Sequence, residues 1–287
     1  MTMKGNNESA LILEGGAMRG LFTAGVLDVF MENNIAFSHA VGVSAGAVFG
    51  SNLKSGQKGR CIRYNLRFCK DWRYCSIRSL IRTGDLYGAD FCYRELPESL
   101  DPFDSAAFER NPMTFDFTVT DAETGKPFYY RAGKGGEEDL LWMRASASMP
   151  LLSTPVEING RRYLDGGIAD PIPYQYIKDK GFAKKVVILT QPRSYIKSSS
   201  SSIYGLFFHG KTRGIADAME RRAELYNSTR ELIFRDEAQG DVFVIAPDKP
   251  LDVKRTEKDR KKLQKCYDDG VSAASALLPA LINYLNS

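Results

Sequence analysis

Gly42-Val43-Ser44-Ala45-Gly46 sets one serine between two glycines in a G-x-S-x-G spacing. Ala40 to Val43 before it read as a buried strand, and Ala45 to Phe49 after it are small enough to open a tightly packed helix. A chain that turns sharply from strand to helix at a serine holds the hydroxyl above the sheet. Small residues on both sides let the turn close, and the helix start directs unpaired N–H groups at any anion formed there. The chemistry served is nucleophilic attack by Ser44.

A second glycine cluster lies upstream. Leu11-Ile12-Leu13 forms a short apolar strand, Glu14-Gly15-Gly16-Ala17-Met18-Arg19-Gly20 follows, and Leu21 to Asn33 carries helical apolar spacing. Read as a dinucleotide fingerprint, the register starting at Gly15 puts Ala17 where the second glycine should admit a pyrophosphate. An acidic residue is also expected about 20 residues on, and the next strand leads into Ser44 instead. The nucleotide reading is the weaker one. Backbone N–H groups converging at a helix start serve equally well as an oxyanion hole for acyl transfer.

The third piece is Tyr163-Leu164-Asp165-Gly166-Gly167, preceded by Val156 to Ile158 and Arg161 to Leu164 around Asn159-Gly160, a two-residue hairpin signal. Asp165 thus ends a strand, beside glycines that let another backbone approach. The chain has two histidines, His39 and His209. His39 leads into the elbow too closely to curl back onto Ser44, and reads as a packed or capped histidine; His209 follows a serine run, a poor mount for a base. A carboxylate acting directly is the economical alternative, because desolvation raises its proton affinity.

These three motifs, EGGAMRG, GVSAG and DGG in that order, resemble those of the patatin-like phospholipases. The segment Arg144 to Pro150 with Thr154-Pro155-Val156 is also similar to that family's, and the likeness runs from about Leu11 to Pro173. It implies a three-layer α/β/α fold with a mostly parallel central sheet and the serine at a strand-to-helix elbow. It implies Ser44 as nucleophile, Asp165 as general base in a dyad without histidine, and the backbone of Gly15, Gly16 and Ala17 as oxyanion hole. Gly20, Gly42, Gly46, Gly166 and Gly167 support the motifs. Arg19 either pins the glycine loop or meets a lipid phosphate. Ala17 departs from the family's pattern, standing where many members have a third glycine; it keeps its N–H as a donor unless its φ must be positive. The implied activity is hydrolysis of lipid acyl esters. A small-molecule carboxylesterase or thioesterase would use the same site, and a vestigial regulatory protein is a further alternative.

The 287 residues, 43% hydrophobic and 26% charged, fit an α/β protein covered on both sheet faces. One domain over 1–287 is expected, with a motif-bearing core at about 11–175 and a C-terminal α/β extension at about 176–287. Thr114 to Thr120 reads as a strand paired in a hairpin with Phe128 to Tyr130, and Val186 to Thr190 and Val242 to Ala246 as buried strands. Leu140 to Ser148, Met219 to Phe234 and Val271 to Leu285 read as helices. Lys254 to Lys265 reads as a charge-dense helix with a solvated face, and Ser198 to Ser202 as a mobile loop near the site entrance. Lys54 to Arg82, basic and punctuated by Tyr64, Phe68, Trp72 and Tyr74, reads as an amphipathic helix or lid with its charges solvated. Contact with an anionic lipid surface is the competing use of that segment.

The N-terminus is too short in apolar residues for a signal peptide, and no run reaches transmembrane length. Five cysteines without a C-x-x-C pair, beside two histidines, argue for reduced thiols and no metal site. The expected setting is cytoplasmic, with peripheral contact to the inner membrane face as an extension of the lipid reading. The expected partner is a lipid or acyl-ester substrate, with no cofactor. A net charge of +4, scattered along the chain, gives no support to nucleic-acid binding; the oligomeric state is not legible.

Overall fold

A computed structural model of the chain describes residues 9–198, 207–208 and 210–287. The strands are β1 (Ser9–Leu13), β2 (His39–Val43), β3 (Thr114–Asp121), β4 (Pro127–Arg131), β5 (Val156–Ile158), β6 (Arg161–Asp165), β7 (Lys184–Ile188) and β8 (Phe243–Ile245). They form one sheet in the order β5-β6-β3-β2-β1-β7-β8, with β4 also paired to β3. The run from β3 to β8 is parallel, whereas β4 and β6 lie antiparallel to β3. Asn159 and Gly160 both adopt positive φ, +52° and +74°, and close the β5–β6 hairpin as the Asn-Gly pair predicts.

Helices fill both faces. On one side lie α1 (Gly20–Glu32), α2 (Ala45–Lys54), α3 (Arg60–Phe68), α4 (Ile77–Thr83), α5 (Ser105–Arg110) and α6 (Glu137–Ser146). On the other lie α7 (Tyr174–Asp179) and α8 (Arg213–Ala238), while the last helix, α9 (Arg260–Asn286), returns to the first side. Strand β1 shows the two-residue period this sandwich demands. Leu11 and Leu13 enter the first core and Ala10 and Ile12 the second, all fully buried. This is the three-layer α/β/α arrangement expected from the sequence.

Helix α1 is buried on nearly every side because α9 covers the face that the sheet leaves open. The two helices touch backbone to backbone. A Cβ on Gly25 would stand 2.2 Å from the Tyr267 carbonyl oxygen, and one on Gly270 would stand 2.0 Å from that of Phe22. Only glycine fits at this crossing. Tyr267 also donates to Asp28 at 2.6 Å, tying the pair a turn away.

Two segments differ from expectation. Lys254 to Lys265 is not one helix: α9 begins at Arg260, because the Asp259 side chain accepts the Lys261 N–H at 2.8 Å and caps the helix there. Lys54 to Arg82 breaks into α2's end, α3 and α4, and two of its cations are buried rather than solvated. Lys54 donates to the Asn111 and Met113 carbonyls, and Arg60 to the Asp101 carbonyl and Asn52. A π-helical segment, Phe91–Leu100, with Pro97 inside it, has no counterpart in the sequence reading. Residues 199–202 of the serine run and His209 lie outside the described residues.

Candidate active site

Ser44 sits between β2 and α2 with φ +54° and ψ −120°, a backbone conformation that side chains other than glycine rarely adopt. Close packing imposes it. A Cβ on Gly42 would stand 2.6 Å from the Ala47 nitrogen, and one on Gly46 only 2.4 Å from the Leu13 carbonyl oxygen. The helix therefore folds directly back over its own strand and lies against β1. The Ser44 carbonyl accepts the N–H groups of Ala47 and Val48 at 3.0 and 3.1 Å. Its own N–H donates to Ser146 Oγ at 3.0 Å, and Ser146 in turn donates to the Thr118 carbonyl at 2.7 Å. Ser146, from the end of α6, thus staples the elbow to β3. The sequence marks it only as part of the Arg144–Pro150 segment.

Asp165 reaches Ser44 through the register of β3. Strands β2 and β4 both pair with residues 116–118 of β3 and must occupy opposite edges. Strand β6 pairs with residues 119–121 while β4 still covers 119 and 120, so β6 continues along the edge that β2 leaves. The last rung of β2 is Val43 with Thr118, and the next along that edge is Asp165 with Val119. The two strands arrive head to head, and the Asp165 carboxylate comes within hydrogen-bonding reach of the Ser44 hydroxyl.

The aspartate is held firmly. Its N–H donates to the Ser148 carbonyl, its carbonyl accepts from Thr120 Oγ1, each at 2.8 Å, and Oδ1 accepts the Gly167 N–H at 2.7 Å. A Cβ on Gly166 would stand 2.1 Å from the Thr118 carbonyl oxygen, so that turn too needs glycine. Burial pushes the Asp165 carboxyl above its ordinary value; the Ser44 hydroxyl, the Gly167 N–H and the nearby Arg222 and Arg255 oppose the rise without cancelling it. The product is a dry carboxylate with raised proton affinity, aimed at a hydroxyl.

The glycine loop follows β1, whose neighbour in the sheet is β2, and so lies beside the elbow. A Cβ on Gly16 would meet Thr190 Oγ1 at 2.8 Å. Thr190, just past β7, donates through Oγ1 to the Gly15 carbonyl at 3.0 Å and through its N–H to Glu14 at 2.5 Å. Tyr226 on α8 donates to the other Glu14 oxygen at 2.7 Å. No backbone carbonyl among the described residues accepts from the N–H groups of Gly15, Gly16 or Ala17. Ala17 has φ +49°. It therefore adopts the left-handed conformation in which a third glycine would be at ease, at a cost of about 1–2 kcal/mol. Gly20 begins α1 against Ala45 and Phe49.

Ser44, Ala17 and Met149 line two spaces at once. Behind them is an apolar cavity walled by Val48, Phe49, Tyr93, Leu96 and Met143 among others. In front is a more polar cleft reached by Asp165, Gly15, Gly16, Arg19, Lys197, Arg222 and Arg255. The last three carry no local sequence signal. His39 is elsewhere, at the far end of β2, with Nδ1 2.6 Å from Thr114 Oγ1, Nε2 3.2 Å from Asp116, and its ring stacked on Phe182. It is a packed histidine, as the sequence suggests. Among the described residues, no group of three or more His, Cys, Asp or Glu side chains is placed to hold a metal ion.

A family model described as patatin-like phospholipase matches residues 11–177, and one described as a domain of unknown function, DUF6363, matches residues 212–286. The chain is 27% identical over 259 residues to the uncharacterized protein YjjU of Escherichia coli (strain K12), covering 84% of this chain and 69% of that one. It is 26% identical over 164 residues to the uncharacterized NTE family protein Rv1063c of Mycobacterium tuberculosis, covering 57% of this chain and 44% of that one. The chain thus spans less than half the length of this second relative. Among solved structures it is similar to VipD from Legionella pneumophila, at 12% identity and a TM-score of 0.45, over 96% of this chain and 67% of that one. With a match to its family model over more than half of its length, the chain belongs to the patatin-like phospholipase family.

Proposed function

We propose that the protein hydrolyses carboxylic esters of lipids through a Ser44–Asp165 dyad. In this reading Ser44 Oγ attacks the ester carbonyl as Asp165 takes its proton. The amides of Gly15, Gly16 and Ala17 hold the oxyanion, each donor contributing about 2.7–4 kcal/mol by analogy with other acyl-transfer sites. The bond to the leaving alcohol then breaks and Asp165 returns the proton to its oxygen. Water, deprotonated by Asp165, attacks the acyl-enzyme; the fatty acid leaves and Ser44 is reprotonated. The observation that carries this reading is the position of Ser44 at the junction of an apolar cavity and a polar cleft. An acyl chain has somewhere dry to lie while the rest of the substrate stays in water.

Helix α4 supports a lipid surface as the place of work. Ile77 and Ile81 are 71% and 79% exposed, one turn apart, and Arg78 and Arg82 lie over the Trp72 ring at 4.4 and 5.3 Å. Apolar side chains flanked by arginines and an indole suit the boundary between headgroups and acyl chains. Loss of vesicle co-sedimentation in an Ile77→Ser, Ile81→Ser double variant checks that contact.

Incubation with a defined phospholipid panel, followed by mass spectrometry of released fatty acids, tests the activity. Wild type releases acids, and Ser44→Ala and Asp165→Asn release none above background. Turnover confined to water-soluble esters or thioesters would replace the lipid reading with the small-molecule one. Absence of Ser44 labelling by a fluorophosphonate would remove the nucleophile.

A further inference from the structure

Four cationic side chains converge on the cleft in front of Ser44. Arg19 follows the glycine loop, Lys197 lies beyond β7, Arg222 sits on α8, and Arg255 lies just before α9. Arg222 and Arg255 belong to the stretch that matches the domain of unknown function. Three of the four have a mount. Arg222 Nε donates to the Gly167 carbonyl. The Lys197 backbone is clamped by Asn227 at 2.9 and 3.0 Å, and its ammonium stands 5.3 Å from the Tyr226 ring centre. The Arg255 carbonyl accepts from the Tyr87 hydroxyl. Two carboxylates of the cleft face them, Asp165 and Glu14.

Gathering like charges in a partly buried cleft is unfavourable unless something completes it. The strain is visible at Lys197, whose ammonium is pulled down to about 8, first by burial and then by Arg222, Arg255 and Arg19. A second sign is independent of it: Arg19 Nε is buried and has no hydrogen-bond partner among the described residues. Clusters of this kind, perturbed and set in a cleft, mark ligand sites.

We propose that the C-terminal region, with Arg19 and Lys197, builds an anion subsite beside Ser44 that receives a phosphomonoester carried by the acyl-ester substrate. Four cations against two carboxylates leave an excess of positive charge of about two, and a phosphomonoester carries about −1.5 to −2 at neutral pH. A neutral or zwitterionic headgroup would leave that excess unmatched. This placement rests on the acyl-hydrolase reading, which sets the ester carbonyl at Ser44 and the chain in the apolar cavity.

The Ser44→Ala protein, which keeps the cleft without turnover, is titrated by calorimetry with dihexanoyl phosphatidate, neutral dihexanoylglycerol and inorganic phosphate. Phosphatidate binds about tenfold or more tightly than the neutral lipid. That preference shrinks about threefold on adding either Lys197→Met or Arg255→Met, and falls as salt is raised. It also fades as pH rises through about 8, where Lys197 loses its charge. Equal affinity for the two lipids, or a preference untouched by both substitutions, overturns the subsite. Inorganic phosphate binding as tightly as phosphatidate overturns the acyl-ester assignment and names free phosphate as the occupant. Hexanoate release by the wild type separates the two readings. Hydrolysis without charge preference defeats the subsite alone, and charge-selective binding without hydrolysis defeats the hydrolase reading alone.

Discussion

Gly15 packs so closely on Ser44 that a methyl group added to it would stand 3.1 Å from the serine Cβ and 3.0 Å from the Val43 carbonyl oxygen. Loop and serine are therefore positioned by direct contact, and moving one moves the other. Gly15→Ala is expected to shift the loop by a few tenths of an ångström while the fold survives. Turnover of a p-nitrophenyl ester should drop about 10- to 100-fold, with melting temperature little changed, since small misplacements near the reacting atoms are costly. Gly46→Ala has no such room, because its Cβ would meet the Leu13 carbonyl at 2.4 Å. It should lose about 1–3 kcal/mol of stability in urea unfolding as well as activity.

The backbone at Ser44 makes a second test, separate from catalysis. With φ at +54° and ψ at −120°, serine and alanine are both strained there and glycine is not. Ser44→Ala and Ser44→Gly should both be inactive, yet the glycine variant should be more stable than the alanine one by about 1 kcal/mol. Equal melting temperatures would mean that the elbow stores no strain. Ala17→Gly, at φ +49°, should likewise gain about 1 kcal/mol with the loop amides left in place.

Asp165 is buried and its carboxyl is pushed upward by desolvation. Catalysis by the ionised form should therefore fail as pH falls through a value above the ordinary aspartate range, and the acid limb of kcat/KM reads that value. Asp165→Asn should abolish turnover while leaving thermal stability equal or higher at neutral pH, because the amide still accepts the Gly167 N–H and no longer buries a charge. A large drop in melting temperature would show the carboxylate to be a structural ion.

At Asp116 on β3, paired with the middle of β2, the sign reverses. Burial alone would raise Asp116, but hydrogen bonds from His39, Arg131 and Tyr176 outweigh it and hold the carboxyl at about 2. Its folded value lies below its unfolded one, so the stabilisation is complete above about pH 4 and is lost as pH falls toward 2. The contribution is about 2 kcal/mol at neutral pH. Urea midpoints measured from pH 2 to 5 should fall less steeply for Asp116→Asn than for wild type.

The sequence shows some of this and conceals the rest for physical reasons. The elbow at Ser44 and the Asn159-Gly160 turn are local, set by residues within a few positions of one another, and both are legible. The encounter of Ser44 with Asp165 is not local. It depends on two strands sharing one edge of β3, and no spacing in the chain specifies that register. Arg222 and Arg255 are harder still. Helical periodicity marks the apolar stripe of α8 but is silent on which of Arg221, Arg222 and Arg230 faces a cleft. The cap at Asp259 is a local signal too, but the lysine- and arginine-rich run around it reads as one continuous charged helix and hides the boundary.

The glycine-to-glycine crossing of α1 and α9 bears on how this protein can be dissected. Residue 25 lies in the stretch that matches the patatin-like phospholipase model, and residue 270 in the stretch that matches the domain of unknown function. Each needs the other's missing side chain. Cutting the chain after residue 177 would strip α1 of its cover and expose the apolar groove in which Tyr267 and Val271 now rest. Such a fragment is not a portable module, and anyone expressing it should expect inclusion bodies where the 287-residue chain gives folded protein.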